Sequence, residues 1–186
     1  MLSAFQVADV VRRLEAGGLI AYPTEGVFGL GCLPSLQSAV TSLLALKRRP
    51  EDRGLILVAG TADAFDGWAD LGDEPAALRS NVSAPTTWIV PAGPRVYPLL
   101  SGGRPTLAVR LTDFPVIDAL TARAGEPLVS TSANLSGHGP IRHPLTIRRR
   151  FRGELDAIVP GTLGGASGPS EIRDLASGRV LRPRRA

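Results

Sequence analysis

Short stretches of aliphatic and β-branched residues recur along the chain, each bounded by glycine, proline or polar residues. Runs of about four to eight residues of this kind are typical of β-strands. They lie at residues 19–22, 54–59, 86–90, 106–111, 127–131 and 157–160, and near the C-terminus at residues 171–175 and 179–182. A chain with this many short strands has to pair them in a sheet and cover the faces of that sheet with other elements.

Helical patterns interrupt these stretches without strict alternation. Ser3 and Gln6 form a capping-box pattern that begins a helix, and Gly17 and Gly18 end it. Further helices are predicted at residues 36–48, 114–124 and 144–152, with two short ones between residues 61 and 80. We therefore predict an α/β fold in which a single domain, residues 1–186, is built on a twisted mixed sheet rather than on repeated βαβ units.

Size and composition exclude several classes of protein. A chain of 186 residues with 44% hydrophobic and 20% charged residues has the make-up of an ordinary globular domain. The N-terminal segment carries charges through its apolar pattern, so it predicts neither a signal peptide nor a membrane span. The single cysteine, Cys32, forms no intrachain disulfide, and with two histidines it makes a metal cluster unfavourable. We expect a cytoplasmic enzyme or binding domain without a metal site of its own.

Lysine occurs once among the 21 basic residues, at position 47, and the others are arginine. Lys47 and Arg49 flank Arg48 at the end of the second predicted helix, where Pro50 turns the chain into an extended conformation. If both side chains point into one space, a compact ammonium beside a forked guanidinium suits a polyphosphate. The alternative is a solvated basic helix end that interacts favourably with the helix dipole. The single lysine favours the functional interpretation, because a position that only faces solvent would accept arginine.

Two further segments place polar groups at strand ends. Residues 130–137, STSANLSG, offer hydroxyl and amide groups where α/β proteins commonly bind ligands, although an ordinary serine-rich turn is the alternative. Residues 22–32, YPTEGVFGLGC, indicate a strand end followed by a glycine-bearing loop, and no segment matches a common nucleotide fingerprint. Close packing explains the glycines. It does not explain Thr24 and Glu25, which are polar residues at the end of a strand predicted to be central.

Five segments in this sequence together resemble one family. YPTEGVFGLGC, LLALKRRPEDRGLILV, TLAVRLTDFP, PLVSTSANLSG and PSEIRD follow one another between about residues 17 and 182. In this order they closely resemble the threonylcarbamoyl-AMP synthases, the YrdC-type domain in its short bacterial form. Any one segment is weak evidence, but five in order are specific. The resemblance implies a single α/β domain whose twisted mixed sheet surrounds a basic concave cavity.

The resemblance also implies an activity. Enzymes of this family join L-threonine, bicarbonate and ATP into threonylcarbamoyl-AMP and release pyrophosphate, with Mg²⁺ bridging the phosphates of ATP. The product serves the N6-threonylcarbamoylation of adenosine in tRNA. Weak binding of tRNA or other RNA and contacts with other tRNA threonylcarbamoylation proteins are therefore expected, whereas contact with a membrane is not.

The matching positions imply roles for particular residues. The nucleotide would be contacted by Lys47, Arg49, Thr87, Ser132, Asn134 and Arg182. Lys47 and Arg49 would also be catalytic, because cations there would neutralise the charge that grows on the leaving pyrophosphate. L-threonine would be held by Thr24, Arg110 and Ser170, with Arg110 as the partner of its carboxylate.

This sequence departs from the family pattern at two places. Residues 82–85, VSAP, replace the usual W-P-G-P before Thr87, so the effect on ATP binding is open. The histidine that long-form members carry after K-x-R is also missing, which bears on threonine affinity rather than on the type of reaction.

Two other functions fit parts of the sequence. An RNA-binding or ribosome-assembly module would use the basic residues 147–152 and 179–185, although aromatic residues for base stacking are few at 5%. Its tRNA binding would be sensitive to salt and would survive the loss of Lys47. An enzyme that uses carbamoyl phosphate, as in hydrogenase maturation, would carry this domain beside cysteine-rich fingers, for which one cysteine leaves no room.

Overall fold

A mixed β-sheet forms the centre of the computed structural model, which describes residues 2–73, 78–80, 84–135, 137–166, 168 and 170–183. Its strands are β1 Ile20–Pro23, β2 Phe28–Gly31, β3 Ile56–Ala59, β4 Arg79–Ser80, β5 Thr86–Pro91, β6 Thr106–Thr112, β7 Leu128–Ser132, β8 Ala157–Ile158, β9 Glu171–Asp174 and β10 Val180–Arg182. The α-helices are α1 Ala4–Glu15, α2 Gln37–Lys47, α3 Pro98–Ser101, α4 Pro115–Ala124 and α5 Pro144–Arg150, and short 3₁₀ helices span Glu51–Arg53 and Asp63–Phe65.

Neighbouring strands of the sheet run in both directions. Across the described ranges the order is β10–β9–β5–β6–β3–β7–β2–β1–β8, and β4 pairs with β6 outside this path. The pairs β3–β6, β4–β6, β5–β9 and β1–β8 are parallel, and the remaining pairs are antiparallel. The prediction of an α/β fold with a mixed sheet is confirmed.

Different helices cover the two faces of the sheet. Because successive residues of a strand point to opposite faces, Leu57 and Val58 of β3 enter two separate apolar clusters. Leu57 belongs to the cluster that contains Leu43 of α2. Val58 belongs to the cluster that contains Leu14 of α1 and Ile117 of α4. The sheet is therefore a middle layer between α2 on one side and α1 with α4 on the other.

The first helix begins as its sequence predicts. The Gln6 backbone N–H donates to Ser3 Oγ at 3.2 Å, and the Ser3 backbone N–H donates to Gln6 Oε1 at 2.9 Å. This reciprocal pair is the predicted capping box. It satisfies one backbone N–H of the first turn and that of the N-cap residue itself.

Strand β2 corrects the prediction of a glycine-bearing loop after β1. It pairs with β1 and with β7, so it lies inside the sheet. A Cβ on Gly31 would lie 2.4 Å from the carbonyl oxygen of Val129 and 2.9 Å from the Tyr22 ring. The two glycines of this strand therefore permit close packing. Because glycine is rare in strands, a prediction based on bulky β-forming residues did not identify this strand.

The segment between residues 61 and 80 agrees in part with the two short helices predicted there. Its described residues form the 3₁₀ helix Asp63–Phe65 and the strand β4. Asp66, with a φ of −55° and a ψ of 124°, ends the 3₁₀ helix, and Trp68 is then buried in the core. Residues 74–77 lie outside the described ranges.

Two further expectations concern membranes and metals. Among the described residues, none of the helices combines the length and the apolar character needed to cross a membrane. In the same ranges, no group of three or more histidine, cysteine, aspartate or glutamate side chains is arranged to hold a metal ion.

Cys32 is buried, and burial raises the pKa of its thiol, which disfavours the reactive thiolate.

Candidate active site

A cavity of about 190 Å³ opens over the central strands, next to the cluster formed by α1 and α4. Ile56 lines it and lies on the same face of β3 as Val58, which places the cavity on that face. The cavity is lined by Thr24, Val27, Gly29, Arg49, Leu55, Ile56, Arg110, Ser130, Thr131, Ser132, Ser170 and Arg182. Three of these residues are arginines, five carry hydroxyl groups, and none is acidic. Such a lining favours an anionic ligand with hydrogen-bonding groups.

The structure brings most of the predicted site residues together. Those that line the cavity are Thr24, Arg49, Arg110, Ser132, Ser170 and Arg182. The other three do not line it but make hydrogen bonds to residues that do. Lys47 and Asn134 bond to Ser132, and Thr87 bonds to Ser170.

Arg110 is buried at the base of the cavity, with 8% of its surface exposed. It lies on β6, and its Nη1 is 3.5 Å from Oε2 of Glu25. Its Nε is buried and has no hydrogen-bond partner among the described residues. A buried donor of this kind calls for an explanation, and a bound anion would supply one.

Arg49 holds a second guanidinium in the same cavity. Its Nη2 donates to the carbonyl oxygens of Gly54 at 2.8 Å and Arg53 at 3.3 Å. Burial, with a smaller contribution from the nearby Arg53 charge, lowers the pKa of Arg49, but an arginine remains protonated at neutral pH. Within the described part of the chain, its buried Nε also lacks a hydrogen-bond partner. The cavity thus contains two fixed cations, each with a donor left over.

Lys47 points to the loop after β7 rather than into the cavity. Its Nζ donates to the carbonyl oxygens of Ser132 and Asn134, the latter at 2.8 Å, and to Asn134 Oδ1 at 3.3 Å. Arg48 ends α2 in the left-handed conformation, with a φ of +50°. Because of this turn, the side chains of Lys47 and Arg49 point in different directions. The expectation that both reach one space holds for Arg49, which lines the cavity, whereas Lys47 contacts the residues that follow or end β7.

The loop after β7 is fixed by its own side chains as well. Ser132 Oγ lies 2.5 Å from Asn134 Oδ1, to which it donates. The Asn134 amide group donates to the carbonyl oxygens of Leu135 at 3.0 Å and His138 at 2.6 Å. Ser132, the last residue of β7, and Asn134 after it are therefore held in place by side-chain hydrogen bonds, and Ser132 lines the cavity. Ser136 lies outside the described residues.

A pair of hydroxyl groups connects the cavity lining to β5. Thr87 Oγ1 and Ser170 Oγ are 2.8 Å apart, and Thr87 is fully buried. Arg182 Nη2 donates to the Ser170 carbonyl oxygen at 2.7 Å. Ser170, just before β9, is thus connected to β5 through Thr87 and to β10 through Arg182. Of the variant residues before Thr87, Val82 and Ser83 lie outside the described ranges.

Thr24 closes the turn between β1 and β2. Its hydroxyl donates to the Val27 carbonyl oxygen at 2.7 Å, and its backbone N–H donates to the same oxygen at 3.2 Å. The carbonyl oxygens of Thr24 and Glu25 accept hydrogen bonds from Gly164 at 3.1 Å and Ala166 at 2.8 Å. The turn therefore anchors the loop that leads to Ser170.

Several lining residues were not singled out from the sequence. Ser130 and Thr131 lay within the predicted STSANLSG segment, but their individual positions depend on the alternation of β7. Gly29 lies opposite Ser132 in the sheet, and a Cβ there would be 3.2 Å from the side chains of Thr24 and Tyr22. Val27, Leu55 and Ile56 are apolar residues that carry no signal of a site in the sequence.

Comparison with known proteins gives consistent results. The family model Sua5_yciO_yrdC, described as "Telomere recombination", matches residues 12–184. A Stutzerimonas stutzeri (strain A1501) protein named threonylcarbamoyl-AMP synthase is 45% identical over 187 residues, which cover 98% of this chain and 100% of that protein.

Two solved structures are also similar. The crystal structure of P. abyssi Sua5 complexed with L-threonine has a TM-score of 0.87 at 25% identity, over 98% of this chain and 55% of that one. This chain thus spans about half the length of P. abyssi Sua5. E. coli YciO has a TM-score of 0.83 at 23% identity, over 98% of this chain and 90% of that one, and shows the same fold.

Proposed function

The chain belongs to the Sua5/YciO/YrdC family, and we infer that it is a threonylcarbamoyl-AMP synthase. It forms threonylcarbamoyl-AMP and pyrophosphate from L-threonine, bicarbonate and ATP. Relatives that carry this name match nearly the whole chain. They favour the enzyme over the RNA-binding alternative.

One observation carries our proposal for the position of the active site. The half-buried Arg49 and the buried Arg110 line the same cavity, and in each the buried Nε is a hydrogen-bond donor without a partner among the described residues. The anionic groups that the reaction brings together include the triphosphate of ATP and the carboxylate of threonine. We propose that each guanidinium holds one of these anions, which fixes the distance between the reacting groups.

The threonine end of the proposed site is formed by Arg110, Thr24 and Ser170. Arg110 would grip the carboxylate with two parallel hydrogen bonds. Because the Thr24 hydroxyl uses its hydrogen on the Val27 carbonyl oxygen, its lone pairs are available to accept from the ammonium or hydroxyl group of the substrate. The Ser170 hydroxyl lies beside them on the cavity wall.

The nucleotide end of the proposed site is formed by Arg49, Ser132 and Arg182 in the lining, with Lys47, Asn134 and Thr87 behind them. Arg49 would contact the phosphates. Lys47 would fix the loop that carries Ser132 and add a positive charge near them. Since about 190 Å³ is below the roughly 300–1,000 Å³ of common ligand pockets, we propose that the cavity encloses the reacting groups and that the nucleoside extends outside it.

The chemistry that we propose needs no covalent enzyme intermediate. The threonine amine and bicarbonate form N-carboxythreonine with loss of water. A carboxylate oxygen of that group then attacks the α-phosphorus of ATP, the bond to the β-phosphate oxygen breaks, and pyrophosphate leaves with the electron pair. The protein contributes fixed positive charge where negative charge develops, which acts most strongly in a site that excludes water.

We propose that Mg²⁺ enters with ATP rather than through a site of the protein. The described residues contain no acidic or histidine cluster that would hold the ion. Mg²⁺ commonly binds nucleotide phosphates with few protein ligands, and when bound it would neutralise part of their charge.

Binding of tRNA and of other threonylcarbamoylation proteins stays a prediction. The surface that supports it is α5, whose residues Arg148, Arg149 and Arg150 are exposed side by side. Such a surface would bind phosphates in a salt-dependent way and without base specificity.

The reaction itself gives the test. Pyrophosphate release from ATP and Mg²⁺ should require both L-threonine and bicarbonate, and omission of either should lower the rate to background. Bicarbonate is removed by degassing and restored by addition. Release that continues without threonine would contradict the assignment, and so would an unchanged rate in bicarbonate-free buffer.

A further inference from the structure

Glu25 is the acidic residue that the sequence left without an explanation, and the structure buries it completely behind Arg110. Its Oε1 accepts a hydrogen bond from Thr112 Oγ1 at 2.9 Å. Its Oε2 makes no hydrogen bond within the described ranges and lies 3.5 Å from Arg110 Nη1. The carboxylate is thus fixed by one hydroxyl group and directed at one guanidinium.

Stability alone is a poor reason for this arrangement. A buried carboxylate loses its hydration, and an ion pair at 3.5 Å without a hydrogen bond recovers that loss only in part. A hydrophobic residue of similar volume would fill the space at lower cost. The position of the carboxylate therefore calls for a function that depends on its charge.

The geometry of β6 shows what the carboxylate controls. Arg110 and Thr112 are two residues apart on one strand, so their side chains leave the same face of the sheet. Glu25 contacts both of them from the turn after β1. Thr112 Oγ1 also accepts from the Phe114 backbone N–H at 3.3 Å, which fixes the hydroxyl group. The carboxylate is therefore held at a set position relative to the guanidinium.

The orientation of the guanidinium then determines which of its edges faces a ligand. Arginine binds a carboxylate best through two parallel N–H groups, either Nε with Nη2 or Nη1 with Nη2. Glu25 draws Nη1 to itself. The Nε and Nη2 edge is left for a ligand, and the buried Nε on that edge has no hydrogen-bond partner in the described structure.

We propose that Glu25 is a positioning residue for the substrate carboxylate, acting through Arg110. This rests on the proposed function, in which Arg110 binds threonine. Glu25 holds the guanidinium so that its Nε and Nη2 edge faces the cavity.

Glu25→Gln tests this proposal because the amide keeps the shape and the acceptor for Thr112 but loses the charge. The KM for threonine should rise by about 10- to 100-fold, by analogy with the loss of a residue that orients a metal-binding side chain. The KM for ATP and the kcat at saturating threonine should stay within about twofold of the wild type. Asp113→Asn, which makes the same chemical change at an exposed position one residue beyond Thr112, should behave like the wild type.

A double-mutant cycle separates positioning from general stability. Arg110→Lys keeps a cation opposite Glu25 but removes the two-pronged edge, so it should raise the KM for threonine by itself. If Glu25 acts through Arg110, adding Glu25→Gln to Arg110→Lys should raise that KM by less than about twofold further. Multiplication of the two effects would overturn the proposal, and so would a Glu25→Gln enzyme whose KM for threonine is unchanged or whose two KM values rise together.

Two controls keep the outcome interpretable. Glu25→Asp retains the charge and withdraws it from Arg110, so it serves if Glu25→Gln does not fold, and it should raise the KM for threonine selectively. The wild type is measured first. If its pyrophosphate release does not depend on threonine, the proposed function fails and this inference fails with it; if it does depend on threonine, the variants test the role of Glu25 alone.

Discussion

Replacing Arg49 by alanine should leave the fold intact and lower the rate of pyrophosphate release at least about a hundredfold, as expected for the loss of one preorganised electrostatic contact. The fold should survive because, within the described ranges, the side chain donates only to the carbonyl oxygens of Arg53 and Gly54 at the end of a turn. Loss of such hydrogen bonds costs about 1 kcal/mol each. The rate is measured at saturating ATP, threonine and bicarbonate, and folding is checked by thermal unfolding.

Arg48 supplies the matched control. It is the adjacent arginine, it is exposed, and its φ of +50° suits glycine better than alanine. Arg48→Gly removes the same charge one residue away and should leave the rate within about twofold of the wild type. An Arg49→Ala enzyme that keeps more than about a tenth of the wild-type rate would show that Arg49 does not contact the reacting phosphates.

Replacing Lys47 by alanine should lower the same rate by a similar factor, at least about a hundredfold. The ammonium group donates to the carbonyl oxygens of Ser132 and Asn134, so its loss removes hydrogen bonds that fix the end of β7 and the loop after it. Lys47→Met, which keeps most of the volume, separates loss of charge from loss of packing. Both variants should show faster hydrogen exchange in residues 132–135.

Lys47→Arg is the sharper variant. A planar guanidinium is longer and cannot reproduce three short contacts from one nitrogen, so this enzyme should also be impaired. A Lys47→Arg enzyme with the wild-type rate would mean that the single lysine of this chain has no chemical significance.

The titration of Lys47 gives the same prediction a pH dependence. Burial, with a smaller contribution from Arg49, lowers its pKa from 10.5 to about 8. The ammonium form is therefore lost from the folded protein above about pH 8, and the rate should fall there. Between pH 8 and 10.5 the unfolded chain binds more protons at Lys47 than the folded chain does. The contribution of Lys47 to the free energy of unfolding therefore rises with pH in this range, whereas the activity falls.

A protein with one lysine allows this pKa to be measured directly. Labelling with ¹³C-lysine gives one side-chain signal, whose pH titration should have a midpoint near 8. ATP should move the midpoint upward, because nearby phosphates favour the ammonium form. A midpoint at 10.5 that does not respond to ATP would contradict both the burial and the proximity to the nucleotide.

The parts of the fold that could be predicted depend on local interactions. The capping box of Ser3 and Gln6 involves neighbouring residues, and so it appears in the sequence as it does in the structure. The strand β2 depends instead on a neighbour that is distant in sequence, because Gly31 is required by the close approach of Val129. Glycine in a strand is unfavourable without that neighbour, and local patterns therefore predicted a loop.

The same distinction applies to the site. The sequence indicates Lys47 and Arg49 as a pair of site residues. It does not predict the left-handed conformation of Arg48 that separates them, because arginine seldom adopts that conformation. Glu25 could be recognised as an unusual residue. Its role could not be inferred, because its partners Arg110 and Thr112 come from a strand more than eighty residues away.

The measurement that tests the central claim most directly is a crystal structure of this protein with L-threonine and a non-hydrolysable ATP analogue. We predict that the threonine carboxylate lies within hydrogen-bonding distance of Arg110 Nε and Nη2, and that the phosphates lie within hydrogen-bonding distance of Arg49. The threonine and the phosphates would then occupy the cavity between Thr24, Ser132 and Ser170, with the nucleoside extending outside it. Ligands bound elsewhere, with the side chains of Arg49 and Arg110 turned away from them, would contradict the account.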